Sequence, residues 1–185
     1  MKRILIDVDD VITNQDGWLY VINNFLKTSY TIKDIKGYYI QDLVPAEKKE
    51  EFVKFFLTQN TYSHSKINDN CIEVIKKLNE KYEIYFCSSY VFRDSPENSG
   101  IFLMQKFDFL KKNFSFVDPS RFTFQSNKSL LNCDIKIDDI VRNLENAEMK
   151  ILYTAYHNKN ISDEELKLKN IIRVNNWNDI EKILL

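Results

Sequence analysis

The sequence predicts an α/β fold: a mostly parallel, Rossmann-like sheet with helices on both faces and a small helical cap inserted after the first strand. Three observations point there. Short β-branched or aromatic runs, each ending at a polar residue, alternate with amphipathic segments of helical spacing. Between residues 15 and 67 no convincing strand occurs, only helical pieces, directly after the first apolar run. Finally, acids, a hydroxyl and a lysine fall where the runs end, the edge at which parallel α/β sheets place their sites.

In chain order, residues 3–6 end at Asp7, 83–87 at Ser88 and 122–124 at Gln125; residues 135–137 end at Asp138, 151–153 at Thr154, and 171–174 close the series. These read as strands, several buried on both faces. Helices are predicted over 70–81 (Ile72, Ile75, Leu78), 100–114 (Phe102, Leu103, Phe107, Leu110), 140–147 and 177–185, the last capped by Asn176 or Asn178. Within the insertion, 16–27 sets Trp18, Val21, Ile22 and Phe25 on one face. Residues 31–36 form a short turn with Thr31 and Asp34 in capping-box spacing, and 46–58, after Pro45, carries Phe52, Phe55 and Phe56. The expected division is an α/β core of residues 1–14 and 68–185 and a helical cap of residues 15–67.

At 185 residues the chain fits one domain or one domain with an insertion, and 44% apolar residues suffice for a core. Lys and Arg total 26 against 27 Asp and Glu, so the basic field that a nucleic-acid polymer needs is absent. The three glycines, Gly17, Gly37 and Gly100, stand alone, which excludes a P-loop and a dinucleotide-binding GxGxxG. Cys71, Cys87 and Cys133 form no CxxC and read as reduced residues; with only two histidines a structural zinc site is not expected. His64 and His157 read as turn or surface residues. No apolar run approaches a secretory or membrane-spanning segment, so the expectation is a cytoplasmic protein without a membrane partner.

Four features carry chemistry. Asp7-x-Asp9 leaves the first strand, and residues i and i+2 of an extended chain point the same way, so both carboxylates can face one ligand. Ser88 and Ser89 offer hydroxyls and backbone N–H groups for a phosphate oxygen. Lys128 follows the third strand. Asp138-Asp139 follows the fourth; adjacent carboxylates ending an apolar strand are costly without a cation or hydrogen bonds, although Asp139 as a helix cap is an alternative.

Asp7-x-Asp9, Ser88, Lys128 and Asp138-Asp139 together resemble the four motifs of the haloacid-dehalogenase-like superfamily of aspartyl-phosphate phosphotransferases. The helical insertion matches the position of that superfamily's small cap. Residues 86–89, 131–139 and 151–158 (Ile-Leu-Tyr-Thr-Ala-Tyr-His-Asn) extend the resemblance to the 5′(3′)-deoxyribonucleotidase family over essentially the whole chain. Asp10 stands where that family often has Gly or Glu, Gln15 replaces an aromatic, and Ser89-Tyr90 replaces Ser-Pro.

The resemblance implies a phosphatase of nucleoside monophosphates, deoxyribonucleotides by preference, working through an aspartyl-phosphate. Asp7 would be the nucleophile and Asp9 the general acid and base. Mg²⁺ would be held by Asp7, Asp139 and the backbone oxygen of Asp9, with Asp138 supporting or sharing it. Ser88, Ser89 and Lys128 would hold the phosphoryl oxygens. Lys106 would reach the nucleotide, and Tyr38, Tyr39 and Phe56 would form the base pocket, although aromatics in a cap also build its core. The alternatives are a phosphatase of the same superfamily acting on another small monoester, such as a sugar phosphate, a non-catalytic phosphoacceptor domain and a non-catalytic remnant. A homodimer is compatible with the sequence, and no feature demands one.

Overall fold

The computed structural model describes residues 1–185. All six apolar runs form strands: β1 (Arg3–Ile6), β2 (Glu83–Ser88), β3 (Phe122–Phe124), β4 (Cys133–Asp138), β5 (Ala147–Tyr153) and β6 (Ile171–Val174). They make one parallel sheet in the order β3-β2-β1-β4-β5-β6. β1 lies in the middle, Ile4 beside Ile84 and Ile135, Ile6 beside Phe86 and Ile137. Ile4, Leu5 and Ile6 are all buried, which is why the strand has no polar position between Arg3 and Asp7. The chain runs outward from β1 to β3, then returns to lay β4 against the other side of β1. That reversal opens a crevice beyond the carboxyl ends of β1 and β4.

Six helices accompany the sheet: α1 (Asp16–Leu26), α2 (Lys49–Phe56), α3 (Cys71–Asn79), α4 (Ser99–Asn113), α5 (Asp163–Leu168) and α6 (Trp177–Leu184). Successive residues of β5 show that both faces are covered. Ile151 and Tyr153 join the main core, with Trp177 of α6 6.3 Å from the Tyr153 ring, whereas Leu152 packs with Leu144, Leu166 of α5 and Ile171. Asn176 caps α6 by accepting from Asp179 N.

Three expected helices are shorter than their patterns. Residues 31–36 yield one 3-10 turn, Ile32–Asp34, closed by the Thr31–Asp34 capping box, and 46–58 divides into the turn Ala46–Lys48 and α2. The helix expected over 140–147 is the turn Val141–Leu144, followed at once by β5. The buried Lys136 ammonium takes the Asn143 and Glu145 carbonyls, and Asn146 adopts a left-handed φ of 58°, so the turn cannot propagate. Conversely, α5 was not anticipated, although Ser162 accepts from Glu165 N in the usual N-capping manner.

The stretch between β1 and α3 contains α1, α2 and short turns. Its two ends run side by side: Asn68 N donates to Ile12 O at 2.8 Å, and Thr13 bridges Ile67. Its interior is aromatic, with Trp18 stacked on Phe56 at 4.5 Å, Phe56 on Phe92 at 4.5 Å, and Phe25 edge-on to Phe52. Gly17 is required for its shape, since a Cβ there would lie 2.1 Å from the Thr61 carbonyl oxygen.

Candidate active site

Asp7 continues the β1 ladder by donating its N–H to Ile137 O, which turns its carboxylate into the crevice. Lys128, on the turn Lys128–Leu130, sits between two carboxylates, 2.7 Å from Asp7 Oδ1 and 2.8 Å from Asp138 Oδ2. The other oxygen of Asp138 accepts from Ile140 N and Asn143 Nδ2, so this side chain is fully committed to protein donors. Asp139 Oδ2 lies 2.6 Å from His157 Nε2, while the Asp139 carbonyl accepts from Asn158 Nδ2. His157, expected on a turn or the surface, is therefore part of the crevice, because β5 also ends there. His64 is exposed and stacked on Tyr20.

Burial pushes Asp7 well above its ordinary carboxylate range, and the neighbouring Asp138, Asp139 and Asp9 add to the rise against the opposing Lys128. Burial likewise raises Asp139, helped by Asp138 and Asp10. Burial alone would lower Lys128, but Asp138 and Asp7 outweigh it and hold the ammonium firmly charged. One ammonium does not balance this group. Oxygens of Asp7, Asp138 and Asp139 all lie within 4.8 Å of one another, an arrangement that suits a hard cation. Since Asp138 is engaged by Lys128 and Asn143, the carboxylates best placed to hold a metal ion are Asp7 and Asp139.

Asp9 lines the same cavity but has a different set of partners. Its Oδ2 is 2.6 Å from Lys106 Nζ and 3.1 Å from Ser88 Oγ, and its Oδ1 accepts from Tyr62 OH at 2.6 Å. Burial would raise this carboxyl, yet Lys106 and the hydroxyl bonds more than offset it and hold it below the usual range. Lys106 also bonds Ser88 Oγ and the Ser89 carbonyl. It is only 1% exposed, and α4 places it beneath Ser88 and Ser89 rather than on the wall where a nucleotide contact was expected.

These side chains form the floor of a cavity of about 600 Å³, which Ser88, Ser89 and Lys128 line together with Asp7, Asp9 and Asp139. Its walls include Tyr38 and Tyr39, each about half exposed. Phe56, expected in the base pocket, lies elsewhere: it is 3% exposed and sandwiched between Trp18 and Phe92, and Trp18 is the ring that meets the cavity. Asp10 and Gln15 also line it. Asp10 has a left-handed φ of 60° and accepts from Gln15 Nε2 at 2.6 Å; burial pushes its carboxyl up to about 7. Across the mouth, Arg93 from the loop after β2 stacks on Tyr39 at 4.1 Å and pairs with Asp42 at 2.8 Å.

Sequence reasoning missed Tyr62, His157, Asn143 and the Asp10–Gln15 pair. The strand-end rule that singled out Asp7 and Asp138 applies equally to residues 154–158 after β5, so His157 carried a usable signal. Tyr62 carried none, because its partner Asp9 is distant along the chain.

No helix is long and apolar enough to cross a membrane. The whole chain, residues 1–185, matches the family described as 5′ nucleotidase, deoxy (pyrimidine), cytosolic type C protein. It is 29% identical over 186 residues to a Staphylococcus aureus protein named as a candidate 5′(3′)-deoxyribonucleotidase, covering 100% of this chain and 96% of that one. It is 30% identical over 192 residues to a nucleotidase of Clostridium acetobutylicum, covering 98% and 93%. Among solved structures, a haloacid dehalogenase-like hydrolase from Streptococcus pneumoniae superposes with a TM-score of 0.62 at 10% identity, over 100% of this chain and 99% of that one. With its full length matched, the chain belongs to this 5′-nucleotidase family, phosphoric monoester hydrolases on the haloacid-dehalogenase-like fold.

Proposed function

We propose that the protein hydrolyses nucleoside monophosphates, deoxyribonucleotides by preference, in a Mg²⁺-dependent reaction through an aspartyl-phosphate on Asp7. The observation that carries this reading is the division of labour between two carboxylates two residues apart. Asp7 stands between Lys128 and Asp139 on the cavity floor, and Asp9 is turned toward Ser88, Lys106 and Tyr62.

Asp7 attacks phosphorus, the bond to the sugar oxygen breaks, and Asp9 gives that oxygen its proton. Water then attacks the aspartyl-phosphate while Asp9 takes a proton from it, and inorganic phosphate leaves with Asp7 restored. Ser88, Ser89 and Lys128 bind the phosphoryl oxygens and oppose their growing charge. Mg²⁺, held by Asp7, Asp139 and the backbone oxygen of Asp9, would neutralise the phosphate so that a carboxylate can approach it. Before substrate binds, Asp9 is the ionised partner of Lys106; a phosphate dianion beside it favours the protonated form needed for departure of the sugar. Tyr38, Tyr39 and Trp18 offer flat surfaces for the base. The preference for deoxyribonucleotides is supported by the names of the relatives, and the three unpaired cysteines fit a reducing compartment, the cytoplasm.

The test is phosphate release from ribo- and deoxyribonucleoside monophosphates and sugar phosphates, with and without Mg²⁺, beside Asp7→Asn. Release confined to nucleotides, greatest with deoxyribonucleotides, lost without Mg²⁺ and lost in Asp7→Asn supports the reading. Turnover by Asp7→Asn near wild type removes Asp7 as nucleophile. Release from sugar phosphates alone keeps the chemistry and discards the base pocket.

A further inference from the structure

Resting on the phosphatase reading above, we infer that Tyr62, carried by the helical segment between β1 and α3, is a positioning residue for Asp9 and makes proton transfer depend on how that segment is seated. Tyr62 OH donates to Asp9 Oδ1 at 2.6 Å and is the one protein group on that oxygen, while Lys106 and Ser88 hold Oδ2. The carboxylate is thus gripped from two sides: by α4 and β2 of the sheet layer, and by the inserted segment. With Tyr62 lacking its hydroxyl, Asp9 would remain tethered through Oδ2 alone and be free to turn about its last torsion, which is intrinsically broad for Asp.

The grip on Oδ1 is built rather than incidental. Tyr62 is 7% exposed, and its ring packs 5.8 Å from Phe102 and 5.1 Å from Phe109, both on α4, the helix that supplies Lys106. Its backbone is fixed as well: Asn60 accepts from Tyr62 N, and the preceding Thr61 carbonyl lies against Gly17 of α1. The same segment presents Trp18, Tyr38 and Tyr39 to the cavity, and Trp18 directly follows Gly17, whose backbone packs against the turn that carries Tyr62.

The distinguishing property is the need for a proton on the departing oxygen. A sugar alkoxide needs one from Asp9; the phenol of p-nitrophenyl phosphate is acidic enough to leave without it. Release of the leaving group, nucleoside or nitrophenolate, in a single turnover is measured by rapid quench for wild type and Tyr62→Phe, using a deoxyribonucleoside 5′-monophosphate and p-nitrophenyl phosphate. Phe retains the ring packing, and equal thermal midpoints establish that the fold is kept. Expected is a roughly tenfold slower first turnover on the nucleotide, a part of the full acid–base contribution. Steady-state KM should stay within about twofold, and the single-turnover rate of nitrophenolate release should be unchanged. Equal slowing on both substrates means a structural role and overturns the inference, as does wild-type behaviour on both. If wild type releases phosphate from neither substrate, the phosphatase reading itself fails and takes this inference with it.

Discussion

Gly17 and Thr61 meet so closely that a methyl group on Gly17 would stand 2.1 Å from the Thr61 carbonyl oxygen and 2.3 Å from Ser65 Oγ. The serine can rotate away, but the carbonyl is backbone and cannot. We expect Gly17→Ala to lower stability by about 2–3 kcal/mol, in the range of overpacked sites. Because Thr61 precedes Tyr62, nucleotide turnover should fall as well. Urea unfolding and steady-state kinetics on the same preparation measure the two effects.

Asp10 gives a pH dependence of known sign. Its folded carboxyl titrates at about 7 against an ordinary value of 3.8. Between these values the folded protein keeps a proton that the unfolded chain has released, so this group's contribution declines as pH rises and is lowest above about 7. Asp10→Asn removes the titration, keeps an oxygen for Gln15 Nε2, and suits the left-handed backbone. The metal-free variant should gain thermal stability over wild type as pH is raised from about 5 to about 8. An unchanged difference across that range would remove Asp10 as the source.

His157 stands behind a proposed metal ligand. Burial holds its imidazole below the ordinary value, and its Nε2 lies 2.6 Å from Asp139 Oδ2, bracing that carboxyl group. His157→Ala should weaken Mg²⁺ binding roughly 10–100-fold, the usual effect of losing a ligand's supporting hydrogen bond. Isothermal titration with Mg²⁺ in the absence of substrate reads this directly.

Lys136 is 1% exposed and donates to three carbonyls: Lys128 at 2.9 Å, Asn143 at 3.2 Å and Glu145 at 2.6 Å. It ties together the turns that carry Lys128 and Asn143, both of which contact Asp138. Lys136→Met would strand those carbonyls, and a stability loss of about 3 kcal/mol is expected from unsatisfied buried acceptors. Chemical denaturation tests it.

The sheet was readable because each strand is an apolar run closed by a polar residue, and a parallel sheet collects such ends along one edge. That rule locates Asp7, Asp9, Ser88, Lys128 and Asp139 without knowledge of their partners. It cannot tell what a long side chain meets on the far side of the fold. Lys106 was expected to reach the nucleotide, yet α4 turns it inward onto Asp9, Ser88 and Ser89. Trp18 and Phe56 have the same apolar character in sequence, and only the stacking of α2 on α1 decides which of them meets the cavity. The turn at 141–144 was obscured because its length is set by Lys136, a residue of the preceding strand.

The two ends of the inserted segment run antiparallel, Asn68 N on Ile12 O at 2.8 Å. The stretch therefore leaves and rejoins the chain at nearly one point, and no strand of the sheet depends on its length. For descent with modification this is a modular joint: recombination at residues 14 and 67 would exchange Trp18, Tyr38 and Tyr39 of the cavity wall as one uninterrupted cassette while the carboxylates and Lys128 of the cavity floor stayed in place. Tyr62 is the polar fixture that a transplanted segment would have to bring with it.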